Sequence, residues 1–91
     1  MIEIFPSSKF KRSFKKMPIG IKKDFNEKIK ILKNNPFHQF LKTHKLNGTL
    51  GDYYGFYLRD GFRVIFEFVE TNVVLLINID SHDQYKKWER G

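Results

Sequence analysis

The sequence predicts an α+β domain: an N-terminal strand, then a helical hairpin packed on one face of an antiparallel sheet of about four strands. Three observations predict it. Apolar residues between Phe10 and Leu32 recur every three or four positions, the period of a helix. Between Tyr53 and Asp80 they fall in short segments broken by turn residues, as strands do. The 91 residues leave room for one core, since a second would need roughly 50 more. Residues 1–91 therefore read as a single domain.

Ile2 and Ile4 alternate with polar neighbours up to Pro6, the mark of a short strand. Ser7 or Ser8 can cap a helix over Lys9–Lys16, in which Phe10, Phe14 and Met17 form one stripe. Pro18 suits the first turn of a second helix running to Asn34-Asn35-Pro36, with Ile21, Phe25, Ile29 and Leu32 on its apolar side. From Phe37 to Asp52 periodicity fades, and Asn47-Gly48 and Gly51-Asp52 signal turns. This stretch reads as a connecting loop carrying His38, His44 and Lys45. Three strands follow, Tyr53–Leu58, Phe62–Val69 and Val73–Asp80, separated by Arg59-Asp60-Gly61 and Glu70-Thr71-Asn72.

Parity decides the first of these turns. A two-residue loop Asp60-Gly61 would oppose Leu58 to Arg63 and mix core with charge on both faces. A three-residue loop with Gly61 left-handed opposes Leu58 to Phe62 and puts Phe56, Leu58, Phe62, Val64, Phe66 and Phe68 on the helix side. Tyr57, Arg63, Ile65 and Glu67 then line the open face. Carried into the last strand, the same alternation assigns Val73, Leu75, Ile77 and Ile79 to the core. Val74, Leu76, Asn78 and Asp80 face out, with His82 following. Tyr57, Arg63, Asn78, Asp80 and His82 would thus share a polar, titratable patch.

Composition narrows the function. Cysteine is absent, which excludes disulfides, zinc–thiolate sites, iron–sulfur clusters and a thiol nucleophile. The longest apolar run, Val73 to Ile77, is far short of the about 20 residues that cross a bilayer. The first residues carry no basic, apolar leader pattern, so a cytoplasmic protein with no membrane partner is expected. Asp80 and Asp83 have no Cys or His-x-x-x-His beside them, so neither a metal nor any other cofactor is expected. The net charge of +7 is lopsided: residues 1–45 hold twelve Lys/Arg against three acids, a balance of +9, and residues 46–91 hold five against seven. The basic half suits either nucleic-acid phosphate or an acidic protein, although lysine-rich helix surfaces are also simply soluble.

Three segments in order, His44-Lys45-Leu46-Asn47-Gly48, Tyr57-Leu58-Arg59-Asp60-Gly61-Phe62-Arg63-Val64-Ile65-Phe66 and Ile79-Asp80-Ser81-His82-Asp83-Gln84-Tyr85, resemble the RelE/ParE toxin superfamily, closest to its YafQ-like and RelE-like branch. The order of elements matches over essentially the whole chain. The resemblance implies a toxin of a type II toxin–antitoxin pair, neutralised by a cognate antitoxin in a hetero-oligomer, with the free toxin monomeric. In the RelE and YafQ branches such toxins cut mRNA on the ribosome; in the ParE branch they inhibit DNA gyrase. A degenerate toxin that only binds its antitoxin is a further alternative.

The resemblance also assigns residues. Arg63 stands where the family's Gly-aromatic-Arg motif places a phosphate-binding arginine. His82 matches the catalytic histidine of the YafQ-like branch, His44 a second functional histidine, and Tyr85 the C-terminal tyrosine of the RelE branch. RelE's lysines on the strand before the turn correspond to Gly55 and Tyr57 here, which favours histidine over lysine chemistry. Cutting RNA by 2′-OH attack needs a base, an acid and a cation on the phosphate. His82 and His44 are the expected acid/base pair and Arg63 the clamp. Tyr57 or Tyr85 would stack a base or orient the 2′-OH, while Arg59, Lys45 and Lys86 would make further RNA contacts. Ordinary readings exist beside these. Arg63 can pair Glu67 or Asp80, His82 can bond backbone, His44 can be a solvated loop residue, and Tyr85 can be a packing anchor.

Overall fold

The computed structural model describes residues 1–46 and 53–81. Its elements are β1 (Glu3–Pro6), α1 (Ser8–Lys15), α2 (Ile19–Asn34), β2 (His44–Lys45), β3 (Tyr53–Tyr57), β4 (Arg63–Glu70) and β5 (Val73–Asp80). The strands make one sheet in the order β1-β5-β4-β3-β2. The fold is α+β as the pattern predicts, with two differences in the sheet. β1 lies parallel to β5, making the sheet mixed. The stretch read as a loop contributes a fifth strand, β2, pairing His44 with Gly55 and Lys45 with Tyr54. Two residues are too few to show any periodicity.

Both helices begin where local chemistry says they should. Ser7 caps α1, its Oγ accepting from the Phe10 N–H at 3.0 Å, while Pro18 precedes α2 and its carbonyl accepts from Ile21 and Lys22. Phe10, Phe14 and Phe25 form a three-ring cluster between the helices, with centroids 5.0–5.7 Å apart. They join Ile21, Leu32, Leu41, Phe56, Leu58, Val64, Phe66, Val74, Leu76 and Ile79 in the core on the helix side of the sheet. A second, smaller cluster of Leu46, Ile65, Tyr53 and Ile77 covers part of the opposite face.

The β3–β4 connection is the three-residue turn Arg59–Gly61. The Leu58 N–H donates to the Phe62 carbonyl at 2.8 Å, Tyr57 stands opposite Arg63, and Gly61 is left-handed at φ 77°. Asp60 is left-handed as well, at φ 57°, a conformation Asp tolerates better than most side chains.

In β5 the expected alternation is overturned. Val74 and Leu76 are buried in the core, and Ile77 belongs to the cluster on the open face. Asn78 is also buried, its Oδ1 accepting from Ser13 Oγ of α1 at 2.9 Å, so it does not share the open face with Arg63. The cause is a pair of register shifts. Glu70 pairs with Val73 and Phe68 with Val74, skipping Val69; Phe66 pairs with Leu76 and Ile65 with Asn78, skipping Ile77. Each skipped residue inverts the side-chain parity, so the second shift returns Ile79 to the core where the pattern placed it.

Candidate functional site

Strand register builds the site on the open face of β2, β3 and β4. His44 pairs with Gly55, two residues before Tyr57, and Tyr57 pairs with Arg63. Period-two alternation therefore points His44, Tyr57 and Arg63 to the same side. The Arg63 guanidinium lies over the Tyr57 ring, 4.0 Å from its centroid, and Nη1 donates to the Gly61 carbonyl at 2.9 Å. The stacking and the carbonyl bond together orient the guanidinium plane. Asp80 stands opposite Arg63 on β5. The His44 ring sits 5.2 Å from that of Tyr57, tilted by 34°.

His44 is half-buried, with Nδ1 3.2 Å from the Lys42 carbonyl. A carbonyl only accepts, so Nδ1 carries the proton and Nε2 holds the lone pair in the neutral ring. One side of the site thus presents an imidazole and an aromatic face, and the other a planar cation.

Tyr57 and His44 also form a wall of a cleft of about 670 Å³ at the end of the sheet. Its other lining residues are Asp24, Lys28, Phe40, Lys42, Leu58 and Arg59. Asp24 organises the α2 side. Its carboxylate takes Lys28 Nζ at 3.1 Å on both oxygens, and its Oδ2 accepts from the Arg59 N–H at 2.8 Å, tying α2 to the β3–β4 turn. Among the described residues no three His, Cys, Asp or Glu side chains gather to hold a metal ion, and no helix is long and apolar enough to cross a membrane.

No protein-family model and no curated protein matches this sequence. Solved structures do match its fold. The YoeB dimer from Staphylococcus aureus is 21% identical, with a TM-score of 0.74 over 89% of this chain and 97% of that one. The RelBE toxin–antitoxin complex of E. coli gives 16% identity and a TM-score of 0.67, covering 89% and 96%. YafQ from E. coli strain BL21(DE3) gives 15% and 0.70, covering 93% and 98%. The chain has the RelE/ParE toxin fold.

Within this RelE-like frame the site residues expected from sequence divide into three groups. His44, Tyr57 and Arg63 come together on the open face. Arg59 is exposed on the turn beside them, its Nε 3.4 Å from Asp60 Oδ2, whereas Lys45 pairs with Tyr54 and alternates to the other face from His44. His82, Tyr85 and Lys86 lie outside the described residues. His38, in the loop that leads to His44, accepts the Phe40 N–H on Nδ1 at 3.1 Å. Sequence reasoning passed over Asp24, Lys28, Phe40 and Lys42. The Asp24–Lys28 spacing of four was visible on the helix, but nothing local tied that pair to a turn 35 residues away.

Proposed function

We infer that this protein is the toxin of a type II toxin–antitoxin pair and a ribosome-dependent mRNA endonuclease. The observation that carries the reading is the oriented Arg63 guanidinium stacked on Tyr57 with His44 beside it. These groups answer the needs of RNA cleavage on a fold shared with YoeB, RelE and YafQ. Arg63 binds the scissile phosphate through its forked donors and offsets the charge that grows on the phosphoryl oxygens. One histidine of the pair His44 and His82 takes the proton from the ribose 2′-OH as the 2′-oxygen bonds to phosphorus. The other gives a proton to the 5′-oxygen as its bond to phosphorus breaks. The products are a 2′,3′-cyclic phosphate and a free 5′-hydroxyl, with no net proton consumed. Tyr57 orients the ribose or stacks a base, and Tyr85 and Lys86 extend the contact with RNA.

The RelBE complex supports an antitoxin as partner. The +9 balance of residues 1–45 suits an acidic one, whose association would then slow as salt is raised. The test is induced expression in bacteria, with cleavage sites mapped on a translated and an untranslatable copy of one mRNA. Cuts confined to the translated copy, and lost in Arg63→Ala and His82→Ala, are expected. Growth arrest with intact mRNA would refute the nuclease and direct attention to gyrase.

A further inference from the structure

We propose that the cleft between α2 and the end of β3 is a nucleotide-binding subsite in which Phe40 stacks one base of single-stranded RNA next to the phosphate held by Arg63. The proposal deepens the nuclease reading and rests on it. Phe40 is 64% exposed, and no core cluster of the described residues includes it. A single exposed ring needs no partner on its own account; what sets Phe40 apart is its place in the wall of a cleft that Lys28, Lys42 and Arg59 also line.

The loop that carries Phe40 is firmly built. Leu41, the next residue, is fully buried, and its carbonyl accepts from the Tyr57 N–H at 3.0 Å. On the other side, His38 Nδ1 accepts from the Phe40 N–H, and the two rings lie 4.9 Å apart. Further turns hold the loop: His38 N–H to the Asn35 carbonyl, Leu41 N–H to that of His38, and Lys42 N–H to that of Gln39. Phe40 is therefore a fixed platform, which binds at less entropic cost than a mobile one.

Lys42 adopts φ 52°, a left-handed backbone that costs a lysine roughly 1 kcal/mol and persists where the surroundings over-determine it. Lys42 lines the cleft together with Lys28 and Arg59. Three cations face one carboxylate there, and that carboxylate, Asp24, is engaged by Lys28 and the Arg59 N–H. The contact of the Arg59 guanidinium with Asp60 is exposed at 3.4 Å and readily exchanged for phosphate. An aromatic platform, an apolar floor at Leu58 and a cationic rim are the combination that holds a splayed nucleotide. The cleft volume also lies in the range of roughly 300–1,000 Å³ typical of ligand sites. Tyr57 lines this cleft on one side and carries the Arg63 guanidinium, so the base site adjoins the phosphate site.

The test uses the full chain and a short single-stranded RNA, 2′-O-methylated to block cleavage and carrying 2-aminopurine at one position, whose fluorescence falls on stacking. Wild type should bind and quench it. Phe40→Ala should weaken binding roughly five- to hundredfold and lose the quench, Phe40→Trp should restore both, and Phe40→Leu should not. Lys42→Ala should lower the slope of log affinity against log salt by about 0.7. No binding by wild type, an unchanged affinity in Phe40→Ala, or full rescue by leucine would overturn the proposal. So would a Phe40→Ala variant that loses an acidic antitoxin peptide but keeps the RNA. RNA binding that depends on Phe40, without cleavage of translated mRNA, would refute the nuclease and leave the subsite standing. Cleavage with Phe40-independent RNA binding would do the reverse.

Discussion

Ser7 joins the first strand, the first helix and the irregularity in β5 through one hydroxyl. Its Oγ accepts from the Phe10 N–H and donates to the Ile77 carbonyl, each at 3.0 Å, and its own N–H reaches the Leu76 carbonyl at 2.9 Å. Ile77 is the residue that the β4–β5 register skips, so the serine supplies a donor where the ladder is interrupted. Ser7→Ala removes both side-chain bonds. Loss of an N-cap costs about 1 kcal/mol, and loss of the donor to a partly buried carbonyl costs about 1 kcal/mol more. Together they should lower the melting temperature by roughly 8–16 °C in a domain of this size. Ser7→Asp separates the two roles. A carboxylate caps as well as serine and gains from the helix dipole, by about 0.3–1 kcal/mol. It donates nothing, however, and sets two acceptors against each other at Ile77. Ser7→Asp should therefore be less stable than wild type by about 1 kcal/mol, and Ser7→Thr should be close to wild type. Urea denaturation followed by far-ultraviolet circular dichroism measures all three. A Ser7→Asp variant more stable than wild type by the full dipole gain would show that the Ile77 bond contributes nothing.

Asp24→Ala should destabilise by about 1–2 kcal/mol, because it removes a charged acceptor from the Arg59 N–H as well as an i,i+4 ion pair. Asp24→Asn keeps an acceptor and should lose less, so equal losses in urea denaturation would contradict the assignment. Gly20→Ala in α2 would bring its new methyl group to 4.0 Å from Arg59 Nη1, an ordinary contact. The gain in helix propensity, up to about 1 kcal/mol, should raise the melting temperature by a few degrees, and a fall would show a clash. Arg63→Lys keeps the charge but not the planar fork or the stacking on Tyr57. Single-turnover cleavage on programmed ribosomes should slow at least about tenfold, and equal rates would reduce Arg63 to a point charge.

Much of the fold was legible because its signals are local. The stripe of Ile21, Phe25 and Leu32 repeats at the helical period, and those residues are buried. The β3–β4 turn was solved by parity alone, since one register would have put Arg63 against Leu58 and the other does not. The β5 parity failed for a reason the residues do not display. Val69 and Ile77 are strand-forming residues, and nothing in their type marks them as the ones the ladder skips. β2 escaped for want of length.

The candidate site divides along the same line. Chain chemistry was enough to nominate Arg63, Tyr57 and His44, because a parity argument links the first two and the resemblance supplies the third. Their distances, and the cleft that joins Tyr57 to Phe40, Lys42 and Lys28, came only from tertiary structure. Residues 28, 40 and 57 reach one cleft because Leu41 is buried in the core and Asp24 grips the turn at Arg59. A periodic pattern records which side of an element turns from water. Where two distant elements meet is set by how their buried side chains fit and by which backbone groups must find partners, and those energies exist only once the chain has folded.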